Sequence, residues 1–363
     1  MMLSKRVFRK VCGIQPAATC TLIVLAVVLV MAGTVVAAGN PKTVAELALY
    51  KGPDRQQILE EGAKTEGKLT FYTSGILKQA VRPVVKAFEK KYPYIKVEIW
   101  RGGTRQTLPR LGEEYRGGKK ICDVVEGSQT TSIFLQNSNI AQPFYSSNIA
   151  NMEEEALTEA PGGGYYAAAF RGSGMSLGYN TTMISKKELP KTYEDLLDPK
   201  WKGKMAISAT TTVGNWVGVM LHAYGEDFVK KIAQQDFHVH AVSASTICDM
   251  VIAGEYALSP TIFDSHAINS KHRGAPVDWI PIEPVLTNIG QIMLPKNAPH
   301  PHAALLFVDF ELSIKSAEIH KAAGYSPFRK DVPVLKAYKK TFGPKKLEDT
   351  RRNWELFNRL FMK

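Results

Sequence analysis

KLTFYTSGILKQAVRPVVKAFEKKYPYIKVEIWRGGT, residues 68–104, holds one full turn of an alternating pattern. Its first seven residues, Lys68 to Ser74, predict a strand that Gly75 breaks. A helix over about 77–91 follows, because Val81, Val84, Val85 and Phe88 recur at helical spacing and Pro93 stops the run. Residues 96–101 (KVEIWR) predict a second strand, after which Gly102, Gly103 and Thr104 turn the chain into another helix. CDVVEG, residues 122–127, predicts a third strand, and Ser128, Gln129 and Thr130 open a short helix. Strands joined by crossovers this long pair in parallel, so the pattern predicts an α/β fold with a doubly wound, mostly parallel sheet flanked by helices.

Downstream the pattern changes at PGGG, residues 161–164. Two short strands, 165–170 and 175–179, are expected on either side of Gly172 and Gly174, which suits a crossing between lobes. Alternation then resumes. A strand begins at Met205, a helix from Val213 carries Trp216, Val217, Met220, Leu221 and Tyr224, and a helix over 245–253 feeds a strand over about 256–263. Residues 288–295 are extended, Pro301 opens a helix, and a last amphipathic helix carries Trp354, Phe357 and Phe361. At 363 residues, with 45% hydrophobic and 22% charged content, two compact lobes fit better than one core.

The first ten residues carry Lys5, Arg6, Arg9 and Lys10 without an acid, and an apolar run follows through Met31 before small residues at 35–39. That is a secretory signal segment, assigned to residues 1–38 and expected to be cleaved, with an uncleaved membrane anchor as the alternative. The mature chain then has 42 basic and 34 acidic residues, a net of +8. Lysine pairs are scattered and not interleaved with aromatics, so no nucleic-acid groove is expected. Cys122 and Cys248 remain after processing, fall in different lobes and are expected to be free and buried.

In an open parallel sheet, ligands collect beyond the carboxyl ends of the strands, where the next helix presents unpaired N–H groups and the positive end of its dipole. Four such junctions here are small and hydroxylated: Thr73 with Ser74; Gly102, Gly103 and Thr104; Ser128 with Thr130; and Thr210, Thr211 and Thr212. Arg101, Arg105 and Arg171 lie close to these turns and offer charge-assisted bonds to an anion. Tyr256, Thr261 and Asp264 are expected to contribute from the second lobe's return strand. No nucleophile elbow, zinc-protease motif or phosphate loop occurs, so no catalytic residue, metal or cofactor is assigned. The pairs His238 with His240 and His300 with His302 lack carboxylates at a readable ligand spacing.

Several stretches read together resemble the extracellular solute-binding proteins of ABC importers, in the type II periplasmic group that includes ferric-ion and iron-complex binders. They are LYKGPDRQQILEEGAKTEGKLTFYTSG from Leu49, YNTTMISKKELPKTYEDLLDPKWKGKMAIS from Tyr179, GEYAL from Gly254, GAPVDW from Gly274 and MLPKNAPHPHAALLFVDFELS from Met293. The resemblance implies two α/β lobes joined by crossing strands: residues 39–168 with 286–363, and residues 169–285. It also implies a monomeric periplasmic protein that closes on a small solute and delivers it to a membrane permease, with no catalysis. Iron-binding members hold the ion with two adjacent tyrosines soon after the segment matching GEYAL. Here residues 257–264 read ALSPTIFD, without that pair, and Tyr165 and Tyr166 fall elsewhere. Tyrosinate suits ferric ion, so the expected ligand is a small organic or phosphorylated anion. Ferric iron with a synergistic anion is the alternative, and an exported enzyme on the same scaffold a more distant one.

Overall fold

The computed structural model describes residues 41–334, 338–344 and 346–362. The signal segment assigned to residues 1–38 lies outside them. Among the described residues no helix is long and apolar enough to cross a membrane.

The described residues open with helices α1 (Val44–Leu49) and α2 (Arg55–Glu66), then strand β1 (Lys68–Thr73). The helix expected next is split: a single π-helical turn, Leu77–Val81, passes into α3 (Arg82–Lys91), with Pro83 near its start where no N–H is needed. Strand β2 (Lys96–Arg101), helix α4 (Thr104–Arg116), strand β3 (Val124–Gly127) and helix α5 (Gln129–Asn137) complete the expected alternation. β1 pairs in parallel with both β2 and β3. Short strands β4 (Ala141–Gln142) and β5 (Leu157–Glu159) precede β6 (Tyr165–Asn180), one continuous strand of 16 residues.

Sequence reading breaks that strand in two at its glycines, and the structure does not. Gly172 and Gly174 admit neighbouring rings: a Cβ on Gly172 would lie 2.9 Å from Phe328, and one on Gly174 would lie 2.7 Å from Tyr338. They mark close approach, a regular use of strand glycine.

Beyond β6 come β7 (Ala206–Ser208), α6 (Thr211–Tyr224), α7 (Glu226–Ala233), β8 (His238–His240), α8 (Ala244–Ala253), β9 (Leu258–Phe263), α9 (Asp264–His272) and β10 (Val277–Ile280). The return strand β11 (Val285–Pro295) leads to α10 (Pro301–Glu311), α11 (Ile314–Ala322), β12 (Ser326–Pro327), β13 (Lys340–Phe342) and α12 (Leu347–Phe361). The spatial order of the main sheet is β10-β6-β11-β3-β1-β2. Parallel pairing holds in the β2-β1-β3 wing and between β7 and β8, whereas β6 and β11 run antiparallel to each other as they pass from one half to the other.

Two large cores form. One gathers Phe71, Phe88, Phe307 and Phe310 around β1, α3 and α10, with Phe88 to Phe307 ring centroids 5.0 Å apart. The other gathers Leu177, Trp216, Val217, Met220 and Leu258 around β6, α6 and β9. Helix α12, which the sequence reading groups with the first lobe, belongs to this second core through Leu356, Phe357 and Phe361. Its aromatic face packs along α6, where Gly214 and Gly218 let it approach: the Cα of Trp354 lies 3.2 Å from the position a Cβ would take on Gly214. Cys122 and Cys248 are both buried and free, and burial raises both thiols, Cys248 to about 12.

Candidate functional site

Five helices begin at one cavity of about 760 Å³. Their N-cap residues, Gly103 (α4), Ser128 (α5), Thr210 (α6), Ser243 (α8) and Phe263 (α9), all stand on its wall. α4 and α5 follow strands of the β2-β1-β3 wing, and α6, α8 and α9 follow strands of the other half. Each helix start concentrates unpaired N–H groups and about half a positive charge. The caps differ in how far they are occupied. Ser243 Oγ accepts the N–H of Thr246 at 3.2 Å, and Gln106 Oε1 accepts the N–H of Gly103 at 3.1 Å. The hydroxyls of Ser128 and Thr210 bond no N–H of their own helices; Ser128 Oγ lies 3.3 Å from Thr104 Oγ1.

Charge on the wall is mostly positive. Lys78, Arg101, Arg105 and Arg273 line the cavity and are all exposed. Arg101 Nε donates to Gly75 O at 3.2 Å, and the Arg105 guanidinium stacks over Trp354 at 4.7 Å. Asp249 is the one carboxylate among the described lining residues. His266 adds no charge at neutral pH, because burial lowers it to about 4.

Of the residues singled out from sequence, Ser74, Arg101, Thr104, Ser128, Arg171, Thr211 and Thr212 line this cavity. Arg171 is not a free cation. It is 4% exposed and ion-paired with Glu126, itself 2% exposed, and its guanidinium lies over the Tyr325 ring at 4.7 Å. Burial alone would raise the Glu126 carboxyl, but the Arg171 charge and the bonds from Thr73 and Ser74 hold it below the usual carboxylate range.

Thr73 is a correction of the same kind. Its hydroxyl is buried and donates to Glu126 Oε2 at 2.7 Å, and the N–H groups of Ser74 and Gly75 donate to the same oxygen at 2.7 and 3.1 Å. The nest at the end of β1 is filled by the protein's own carboxylate.

Four more expected residues lie off the cavity. Thr130 is the second residue of α5, beside a hollow of about 20 Å³ that holds no more than a water. Tyr256 Oη meets His240 Nε2 at 2.9 Å. Thr261 is buried in β9 against Ser259, with their hydroxyls 3.1 Å apart. Asp264 is buried at the start of α9, where it accepts the Ser173 hydroxyl at 2.7 Å and the Ser265 N–H at 2.6 Å. Burial raises this carboxyl to about 6.

Sequence reading missed the α9 wall, where Ser265, Asn269 and Arg273 recur every four residues on a helix whose inner face is polar. That recurrence was the available signal. Among the described residues no cluster of three or more His, Cys, Asp and Glu is arranged to hold a metal, and Tyr325 is the only tyrosine on the lining.

Residues 121–359 match the family model described as bacterial extracellular solute-binding protein. The chain belongs to that family. Its architecture is the two-lobed fold of periplasmic binding proteins, as in solved structures of low identity. Iron-bound HitA from Pseudomonas aeruginosa is 21% identical with a TM-score of 0.68, the match covering 81% of this solute-binding chain and 99% of HitA. AfuA from Actinobacillus pleuropneumoniae, a periplasmic binding protein solved with fructose-6-phosphate, is 20% identical with a TM-score of 0.69, covering 82% and 99%. Iron uptake protein A1 from Synechocystis is 24% identical over 286 residues, 70% of this chain and 74% of that protein. Solute binding is the activity that this family membership gives the chain.

Proposed function

We propose that this solute-binding protein captures a small organic or phosphorylated anion and delivers it to an ABC permease. The observation that carries the reading is the meeting of five helix N-termini from both halves with Lys78, Arg101, Arg105 and Arg273 on one cavity. Oriented N–H groups and guanidinium donors bind oxyanions with charge-assisted bonds, and one carboxylate on the wall offsets little of that field. A volume of about 760 Å³ suits a solute of many atoms better than a bare ion. The named ligand groups are Thr104, Ser128, Thr211 and Thr212, with Arg101 as charge partner, while Ser74 and Arg171, both engaged by Glu126, form a fixed floor.

Contacts from both lobes favour the closed form, and the hinge lies in β6 and β11, the strands shared by the two halves. The protein acts as an exported monomer in the periplasm after loss of its signal segment, with one lobe at residues 39–168 with 286–363 and the other at 169–285, save that α12 packs in the second core. No bond of the solute changes.

Ferric iron with a synergistic anion is the second reading, favoured by the name of the Synechocystis relative and by iron-bound HitA. Calorimetry of the purified protein against phosphorylated, phosphonate, carboxylate, sulfonate, neutral and ferric solutes separates the two. Anion binding at 1:1 without iron is the expected result. A visible tyrosinate-to-iron band on adding ferric citrate, without binding of iron-free anions, supports the second reading and overturns the first.

A further inference from the structure

The two walls of the cavity differ in charge. Lys78, Arg101 and Arg105 stand on the side of β1, β2 and α4, with no carboxylate beside them on the lining. Asp249 stands on α8, across the cavity in the second half. Ser245, Cys248 and Asp249 fall at i, i+3 and i+4 of that helix and all line the cavity, so they form a single stripe turned toward the solute. The Asp249 carboxylate is exposed and engages no ion pair or hydrogen bond among the described residues. Arg273, the cation on the same wall, donates to Ser270 Oγ at 3.0 Å. A solute carrying only negative charge leaves the Asp249 carboxylate without a partner, whereas a solute with an ammonium group at its far end pairs with it.

We propose that the solute is bipolar: an oxyanion end held by Arg101 and Arg105 at the α4 terminus, and a protonated amine held by Asp249. The Ser245 hydroxyl, one turn before Asp249 on the same helix and also on the lining, offers a further acceptor. The inference rests on the anion reading above and narrows it to amino-substituted phosphorylated compounds.

The test is calorimetric titration of the purified protein and of Asp249→Asn with two matched pairs: glucosamine 6-phosphate against glucose 6-phosphate, and phosphoethanolamine against ethyl phosphate. The wild-type protein is expected to bind the aminated member of at least one pair ten or more times tighter than its partner. Asp249→Asn, on an exposed helix position and checked for an unchanged melting temperature, is expected to erase that preference. Binding of both members of a pair with equal affinity, or a preference that survives Asp249→Asn, overturns the amine subsite and leaves the anion reading standing. If no phosphorylated probe binds, this inference falls, and the anion reading is decided separately by the wider solute panel above.

Discussion

Glu126 and Arg171 form a fully buried ion pair beneath the cavity, with side chains 1% and 5% exposed. Removing one partner leaves the other charge without compensation in a low-dielectric setting. Glu126→Gln is therefore expected to cost about 3–5 kcal/mol in urea unfolding, and Glu126→Gln combined with Arg171→Met to recover much of that loss. Asp264 carries a pH-dependent strain. Its carboxyl is raised to about 6 in the folded protein from 3.8, so the folded state holds the proton more tightly than the unfolded chain, and stability is lost as pH rises through 4–6. Asp264→Asn has no such titration. Its stability relative to the parent is expected to rise by about 2–3 kcal/mol between pH 4 and pH 7, measured as the difference between the two urea midpoints at each pH. Neither environment could be read from the sequence. Arg171 and Thr73 look like ligand donors as single residues, and only a carboxylate 45 and 53 positions away in the chain shows that both are already engaged.

At the scale of elements, the caps separate stability from binding. Ser243 Oγ caps α8, so Ser243→Ala is expected to cost about 1 kcal/mol in thermal or urea unfolding. Ser128 bonds no N–H of α5, so Ser128→Ala is expected to cost less than about 0.5 kcal/mol while weakening solute binding several-fold by calorimetry. Helix α12 anchors the second core, and Phe357→Ala is expected to destabilise by about 3–5 kcal/mol through the cavity it leaves. The existence of these helices was legible because apolar spacing, caps and prolines are local signals: α6 and α12 form where Trp216 and Phe357 predicted them. The partner of α12 was not legible, because an amphipathic face says that it packs and not on what. β6 was misread for a related reason, since a glycine that breaks a strand and one that admits Phe328 look alike in sequence.

For the molecule as a whole, the convergence of helix starts was legible to the extent that parallel strand-to-helix junctions fix where helices begin. It gave Ser74, Thr104, Ser128, Thr211 and Thr212 on the cavity wall, and failed for Thr261 and Asp264, which lie within or just after a strand that is buried on both faces. What the two halves share is β6 and β11, the strands in which the proposed hinge lies. The most direct measurement is a crystal structure of the protein with the solute it retains through native purification. An oxyanion within about 3 Å of N–H groups at the starts of α4 and α6, and within reach of Arg101, is expected. A metal ion ligated by Tyr325, or a solute lying outside the cavity, would contradict it.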